Sequence, residues 1–342
     1  MVAALSKAGP GARRSVRMPV VSEPLSPSGN GAEAHPDPYA PGLPYDPSWP
    51  RAGSWLARET ADHAGDPSLD VALLGVPAWR TSLSPTGAHA TPAAVRQALL
   101  RYSTHGHGLE LDALVAADLG DVDEPDGPEG EARTAALVSD AAARARLVVA
   151  VGGDNSITYA VARAVWGEQL ATAGLVTLDA HYDLRDGISN GSPVRRLLEA
   201  GLDGSRVVQI GIADFANSRV YADRARDAGI TVVSRDDVGE RGIAAVVAEA
   251  LETAGAAGGP VHVDLDVDVC DRAVVPGCPA SAPGGLSAHE LRRAAYLLAR
   301  DPRVASLDLA EVDATADAPD QRTVRLAALC VLEAAAGLAA RA

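Results

Sequence analysis

From residue 70 onward, short apolar runs rich in β-branched residues alternate with Ala-rich stretches of helical period. The runs predict strands at 71–75, 147–151, 174–178, 207–211, 231–234, 260–265 and 305–309. Most are apolar at nearly every position, as in strands covered on both faces. Helices are predicted at 92–102, 131–145, 157–166, 193–199, 218–228, 244–254, 287–299 and 322–339, with Ser287 and Glu290 spaced as a capping box. Such alternation implies an α/β fold with a mainly parallel central sheet and helices on both sides. Ligands then bind at the carboxyl ends of the strands.

The first fifty residues break this pattern. They hold ten of the 23 prolines and show no period, so they bury too little apolar surface to offset chain ordering. Residues 1–50 are expected to be a disordered Pro-rich leader, with an ordered lead-in near Trp49 to Trp55, and 51–342 a single catalytic domain. No signal-peptide apolar run is present, and Met18 is an alternative start.

Composition narrows the function. The formal charge of −15 disfavours a general binder of nucleic acid or anionic membrane, and no apolar stretch is long enough for a membrane span. Three cysteines make no disulfide framework, which points to a reducing, cytoplasmic setting. Aromatics are 4%, with Phe215 the one phenylalanine, so Ala, Val and Leu fill the core.

Candidate chemistry gathers at strand ends. Asp179, His181 and Asp183 are spaced by two after the 174–178 strand, so an extended segment would turn them to one face. Carboxylates plus one imidazole suit Mn2+ and neighbouring divalent ions; a polar strand end with a capping Asp is the alternative. Asp264, Asp266 and Asp268 likewise share a face, and a cation would relieve their repulsion; a solvated edge strand is the alternative. Glu311 and Asp313 follow the 305–309 strand, and Glu311 could grip an amidine or guanidine. In the turn Gly152-Gly153-Asp154-Asn155-Ser156, the three polar residues can cap the next helix. His262 is expected on the face opposite Asp264, His105 and His107 in a flexible loop, Cys270 without a catalytic base, and 324–339 as a packing or oligomer helix.

Together, Gly-Gly-Asp-Asn-Ser (152–156), Asp-Ala-His-Tyr-Asp (179–183), Asn-Gly-Ser-Pro (190–193), Asp-Leu-Asp-Val-Asp (264–268) and Glu311 resemble the ureohydrolase superfamily of arginases, agmatinases and formimidoylglutamases. The resemblance spans roughly residues 70–335. It implies a three-layer α/β/α arginase-like fold, two Mn2+ per subunit, a metal-bridging hydroxide and, commonly, a homo-oligomer. Carried over by position, Asp179 and Asp266 would bridge the ions, Asp183 would complete the first and hold the hydroxide, and His181 and Asp268 would complete the second. Glu311 would bind the substrate NH2 group.

Asn155 stands where the family usually has a ligating His, so it would be a weak ligand. Asn190 stands where arginases and agmatinases usually have His. The segments 179–193 and 209–217 are more similar to formimidoylglutamases, which convert N-formimidoyl-L-glutamate and water to L-glutamate and formamide in histidine degradation. Arg185, Arg195 and Arg196 are then candidate partners for the substrate carboxylates, with Asn190 and Ser192 beside them. Two alternatives stay open: a guanidino acid or amide hydrolase that releases urea, and a metal-poor, non-catalytic binding or regulatory relative.

Overall fold

The seven predicted apolar runs, with one further strand, form an eight-stranded sheet that is parallel throughout. A computed structural model describes residues 36–37, 40–56 and 68–341. In chain order the strands are β1 (Leu69–Val76), β2 (Ala116–Asp121), β3 (Ala145–Gly152), β4 (Gly174–Leu178), β5 (Val207–Ile212), β6 (Thr231–Ser234), β7 (Val261–Asp266) and β8 (Val304–Ala310). Across the sheet they run β6-β5-β4-β7-β8-β3-β1-β2.

Period-two alternation sends successive residues to opposite helical layers. Val71, Leu73, Val149 and Val151 pack beneath the helices Thr91–Leu99, Ile243–Ala254, Ala288–Arg300 and Arg322–Ala339. Ala72, Leu74, Val148 and Ala150 pack beneath Gly127–Arg144 and Ile157–Trp166. Leu175 and Val207 continue that second layer toward Pro193–Glu199 and Arg219–Asp227. The result is the expected α/β/α sandwich. Arg322–Ala339 is buried along most of its length against the first layer, so packing accounts for it within one subunit. No described helix is long and apolar enough to cross a membrane.

Two elements differ from expectation. β2 carries Asp118 and Asp121, which interrupt its apolar run, and Arg96 bridges to both. The short helix Arg235–Arg241 follows a Ser234–Asp237 capping box. The expected 287–299 helix keeps its Ser287–Glu290 box.

The leader expectation for residues 1–35 lies outside the described residues. Within the remainder, Ala40–Pro44 pairs antiparallel with Pro36–Asp37, although composition placed both segments in the disordered leader. The lead-in near Trp55 is docked: Ala52 N–H donates to Tyr102 O (2.9 Å), and Trp55 Nε1–H to Leu114 O (3.1 Å).

Candidate metal centre

Four central strands, β3, β4, β7 and β8, deliver the acidic residues to one end of the sheet. The first acidic segment leaves β4, and Asp179 N–H donates to Ile210 O (3.0 Å). Asp179 Oδ1 accepts from His181 N–H (2.6 Å), while its Oδ2 is buried without a partner. His181 Nδ1 lies 2.7 Å from Asp268 Oδ2. Asp268 sits in a 3-10 turn after β7, not on the strand; its Oδ1 accepts from Ala180 N–H (3.0 Å), and its own N–H donates to Asp266 Oδ1 (2.8 Å). Asp179, His181 and Asp268 place one ligand atom each within 4.8 Å of one another.

Asp183 reaches the site by a different route from the extended one its spacing suggested. Its backbone is left-handed, with φ 53°, a conformation costing a non-glycine residue about 1–2 kcal/mol. Its Oδ2 accepts from Asn155 Nδ2 (2.8 Å). The Asn155 amide oxygen accepts from Thr158 Oγ1 (2.9 Å), and its backbone N–H donates to Glu311 Oε1 (2.8 Å). Glu311 is also left-handed, φ 65°. Its Oε1 takes a second bond from Asn190 Nδ2 (2.8 Å), and Glu311 N–H donates to Gly153 O (2.9 Å). Gly153 cannot be replaced here: a Cβ would lie 1.7 Å from Ala78 O. Asp154 braces the turn by accepting from Ser156 N–H and Oγ–H, and no side chain caps the following helix, contrary to expectation.

Burial dominates the electrostatics. It pushes Asp179, Asp264 and Asp266 well above the usual carboxylate range, with neighbouring carboxylates adding to the effect. Asp183 rises to about 7 by burial, against the pull of His181. Glu311 rises to about 8 by burial, against the Asn190 hydrogen bond. Burial also opposes charge on His181, but Asp268 outweighs it and raises the imidazole to about 9. The same pairing overcomes burial at Asp268 and holds it low. Crowded carboxylates around one imidazole, with buried oxygens on Asp179 and Asp264 lacking donors, fit hard divalent cations.

Above this cluster opens a cavity of about 440 Å³. His181, Asp183, Asp266, Asp268 and Glu311 line its floor; Arg185, Asn190, Gly191, Asn217, Ser218 and Tyr221 are among the residues of its wall. Arg185 is exposed, forms no ion pair among the described residues and lies 5.8 Å from the Tyr221 ring centroid. Gly191 makes room for it: a Cβ there would come 2.7 Å from Arg185 Cδ. Asn190 Oδ1 accepts from Leu83 N–H (3.0 Å).

Not every expected binding residue reaches the cavity. Arg195 is engaged with Glu199 and the carbonyls of Arg185 and Gly187, so it braces the loop that carries Arg185. Arg196 pairs with Glu131 and lies over Tyr159. Ser192 is buried, exchanging hydrogen bonds with Ser189. His262 lies on the same face as Asp264, not the opposite one, because residues two apart share a face; its Nε2 is 3.1 Å from Asp308 Oδ2. His105 lies on the first strand of a short hairpin and His107 in its turn, and they pair with Glu110 and Glu333, respectively. Cys270 is buried, which pushes its thiol up.

Sequence reasoning missed the residues that hold the acidic segment in shape. Asn217 Nδ2 donates to Ala180 O (2.8 Å), its Oδ1 accepts from Tyr182 N–H (3.1 Å), and Gln209 Nε2 donates to Tyr182 O (2.9 Å). It also missed Asp308, whose signal was a lone charge inside the apolar run of β8.

The arginase family profile matches residues 69–337. Formimidoylglutamase of Bacillus subtilis (strain 168) is 35% identical over 280 residues, covering 78% of this chain and 86% of that protein. The crystal structure of formimidoylglutamase from Bacillus subtilis subsp. subtilis str. 168 superposes with a TM-score of 0.80 at 30% identity, covering 88% of this chain and 96% of the other. Trypanosoma cruzi formiminoglutamase with Mn2+2 superposes with a TM-score of 0.78 at 25% identity, covering 86% and 100%.

Proposed function

The chain belongs to the arginase family, and we propose that it hydrolyses N-formimidoyl-L-glutamate with water to L-glutamate and formamide. The observation that carries this reading is the pairing of an acidic floor with Arg185 on the wall of the same cavity. The floor suits metal ions and a cationic amidine; a guanidinium suits a carboxylate. The similarity to formimidoylglutamase over most of both chains supports it.

Asp179 and Asp266 would hold two Mn2+ jointly, Asp183 would serve the first, and His181 with Asp268 the second. Bound there, two divalent cations supply hydroxide from water near neutral pH and stabilise charge developing at the attacked carbon. The chain's own groups do the rest. Glu311 spends Oε1 on Asn155 N–H and Asn190 Nδ2, which leaves Oε2 to accept from the amidine NH2 and aim its carbon at the floor. Asp183 Oδ2 accepts from Asn155, which fixes the carboxylate so that it would face the ion and take a proton from the attacking water, to pass to the departing glutamate nitrogen. Asn190 fixes Glu311, and Arg185 holds a substrate carboxylate at the cavity wall. Three buried free thiols accord with a reducing, cytoplasmic setting.

The test is direct. Protein purified with Mn2+ is given N-formimidoyl-L-glutamate and a panel of guanidino acids. Formamide and glutamate in equal amounts are expected; urea from a guanidino acid, with formimidoylglutamate untouched, would overturn the assignment.

A further inference from the structure

Asp264 precedes Asp266 by two residues on β7, one step deeper in the sheet. It is fully buried, and neither carboxylate oxygen has a hydrogen-bond partner. Its register row shows the same deficit. Gln209 on β5, Thr177 on β4 and Asp308 on β8 lie in line with it. Gln209 Oε1, Thr177 Oγ1 and Asp308 Oδ1 are buried without partners too. Asp308 gives its other oxygen to His262.

The charges around Asp264 are of its own sign: Asp308, Asp183, Asp179 and Asp266. The Asn155 amide lies close to it, but Asn155 Nδ2 donates to Asp183 Oδ2 and Asn155 Oδ1 accepts from Thr158. A buried carboxylate that faces other carboxylates and has no donor is strongly disfavoured. A cation within reach of those carboxylates removes the conflict.

We propose that Asp264 is a ligand of the cation on the Asn155 side of the centre, so that this side is an all-carboxylate set of Asp179, Asp183, Asp264 and Asp266. The inference rests on the metal-hydrolase reading above. It makes the two positions chemically unequal. The Asn155 side, hard and oxygen-only, accepts Mg2+ or Ca2+ in exchange for Mn2+, whereas the His181 side, with an imidazole, retains Mn2+.

The experiment is a Mn2+ titration of metal-stripped full-length protein by calorimetry, with electron paramagnetic resonance on the loaded samples. Wild type should bind two ions with a magnetically coupled spectrum, and excess Mg2+ should displace one. Asp264→Asn should weaken one of the two binding steps by ~100-fold or more, as expected when a metal's support is removed, and leave the spectrum of an isolated ion. Asp308→Asn, which removes a neighbouring charge but no proposed ligand, should still bind two. Two ions in Asp264→Asn with affinities within about threefold of wild type would overturn the proposal and leave the hydrolase reading intact. No Mn2+ bound by wild type would instead overturn the hydrolase reading itself. Should Asp264→Asn fail to fold, a Mn2+-loaded crystal structure of wild type decides: an Asp264 oxygen about 2.0–2.6 Å from an ion supports ligation, and a longer separation overturns it.

Discussion

The two halves of the centre are built from the same strand ends but satisfy their carboxylates differently. Around His181, each acid has an internal donor: Asp179 and Asp268 accept from the backbone of His181 and Ala180, and Asp268 pairs with the imidazole. Around Asn155, Asp183 has one amide donor and Asp264 none. Carboxylates with donors in the protein are placed before a metal arrives. Carboxylates without them are stable as charges only once a cation is there. On the ligand assignment proposed above, the chain brings one half ready-formed and leaves the other dependent on its ion.

Several changes would break or sharpen this contrast. The largest is Asp266→Ala, which removes a ligand assigned to both halves. Formamide release should fall by ~1,000-fold or more, and elemental analysis should show both ions lost; a two-ion, active variant would contradict the shared-ligand arrangement. Next comes Glu311→Gln, which leaves the metal positions alone. We expect kcat/KM to drop about 100-fold, roughly 2.7 kcal/mol of lost transition-state binding, with unchanged Mn2+ content; loss of metal would mean that Glu311 supports the centre instead.

Arg185→Met should raise KM by about tenfold with little change in kcat. Arg195→Met, whose guanidinium is tied to Glu199 and to loop carbonyls, should change KM less. Steady-state kinetics on the pair would show the reverse order if Arg195 were the carboxylate partner.

The smallest effect is on stability against pH. Asp183 titrates near 7 in the folded, metal-free chain because burial disfavours its charge, against about 4 when unfolded. The folded state therefore binds more protons than the unfolded state between those values, and metal-free stability falls as pH rises from about 4 through about 7. Thermal melts in chelator should show that decline, and melts in Mn2+ should show it flattened. Because Asp179, Asp264 and Asp266 are raised as well, equal slopes with and without metal would place the buried carboxylates as a group away from the ion.

Much of this architecture was legible in the chain. Apolar runs located the central strands because parallel strands buried on both faces leave little room for polar residues. The ends of those runs then pointed to Asp179, His181, Asp183, Asp266 and Asp268. What escaped were features created by distant pairings. β2 lies at the sheet edge with Asp118 and Asp121 matched to Arg96, so its composition does not look like a strand. Glu311 and Asn190 are 121 residues apart, and nothing local announces their bond. Arg195 resembled Arg185 in sequence, yet one braces the loop and the other faces the cavity. The left-handed turns at Asp183 and Glu311 broke the simple two-residue spacing rule, although both side chains still arrive at the floor.

Gly191 shows where such a scaffold can drift. It lines the cavity, yet its effect works through space it leaves vacant for the Arg185 side chain. A single added methyl would push that guanidinium aside without disturbing an acid on the floor. Substrate preference could therefore diverge between descendants by a change at one backbone position, while the hydrolytic apparatus is inherited intact.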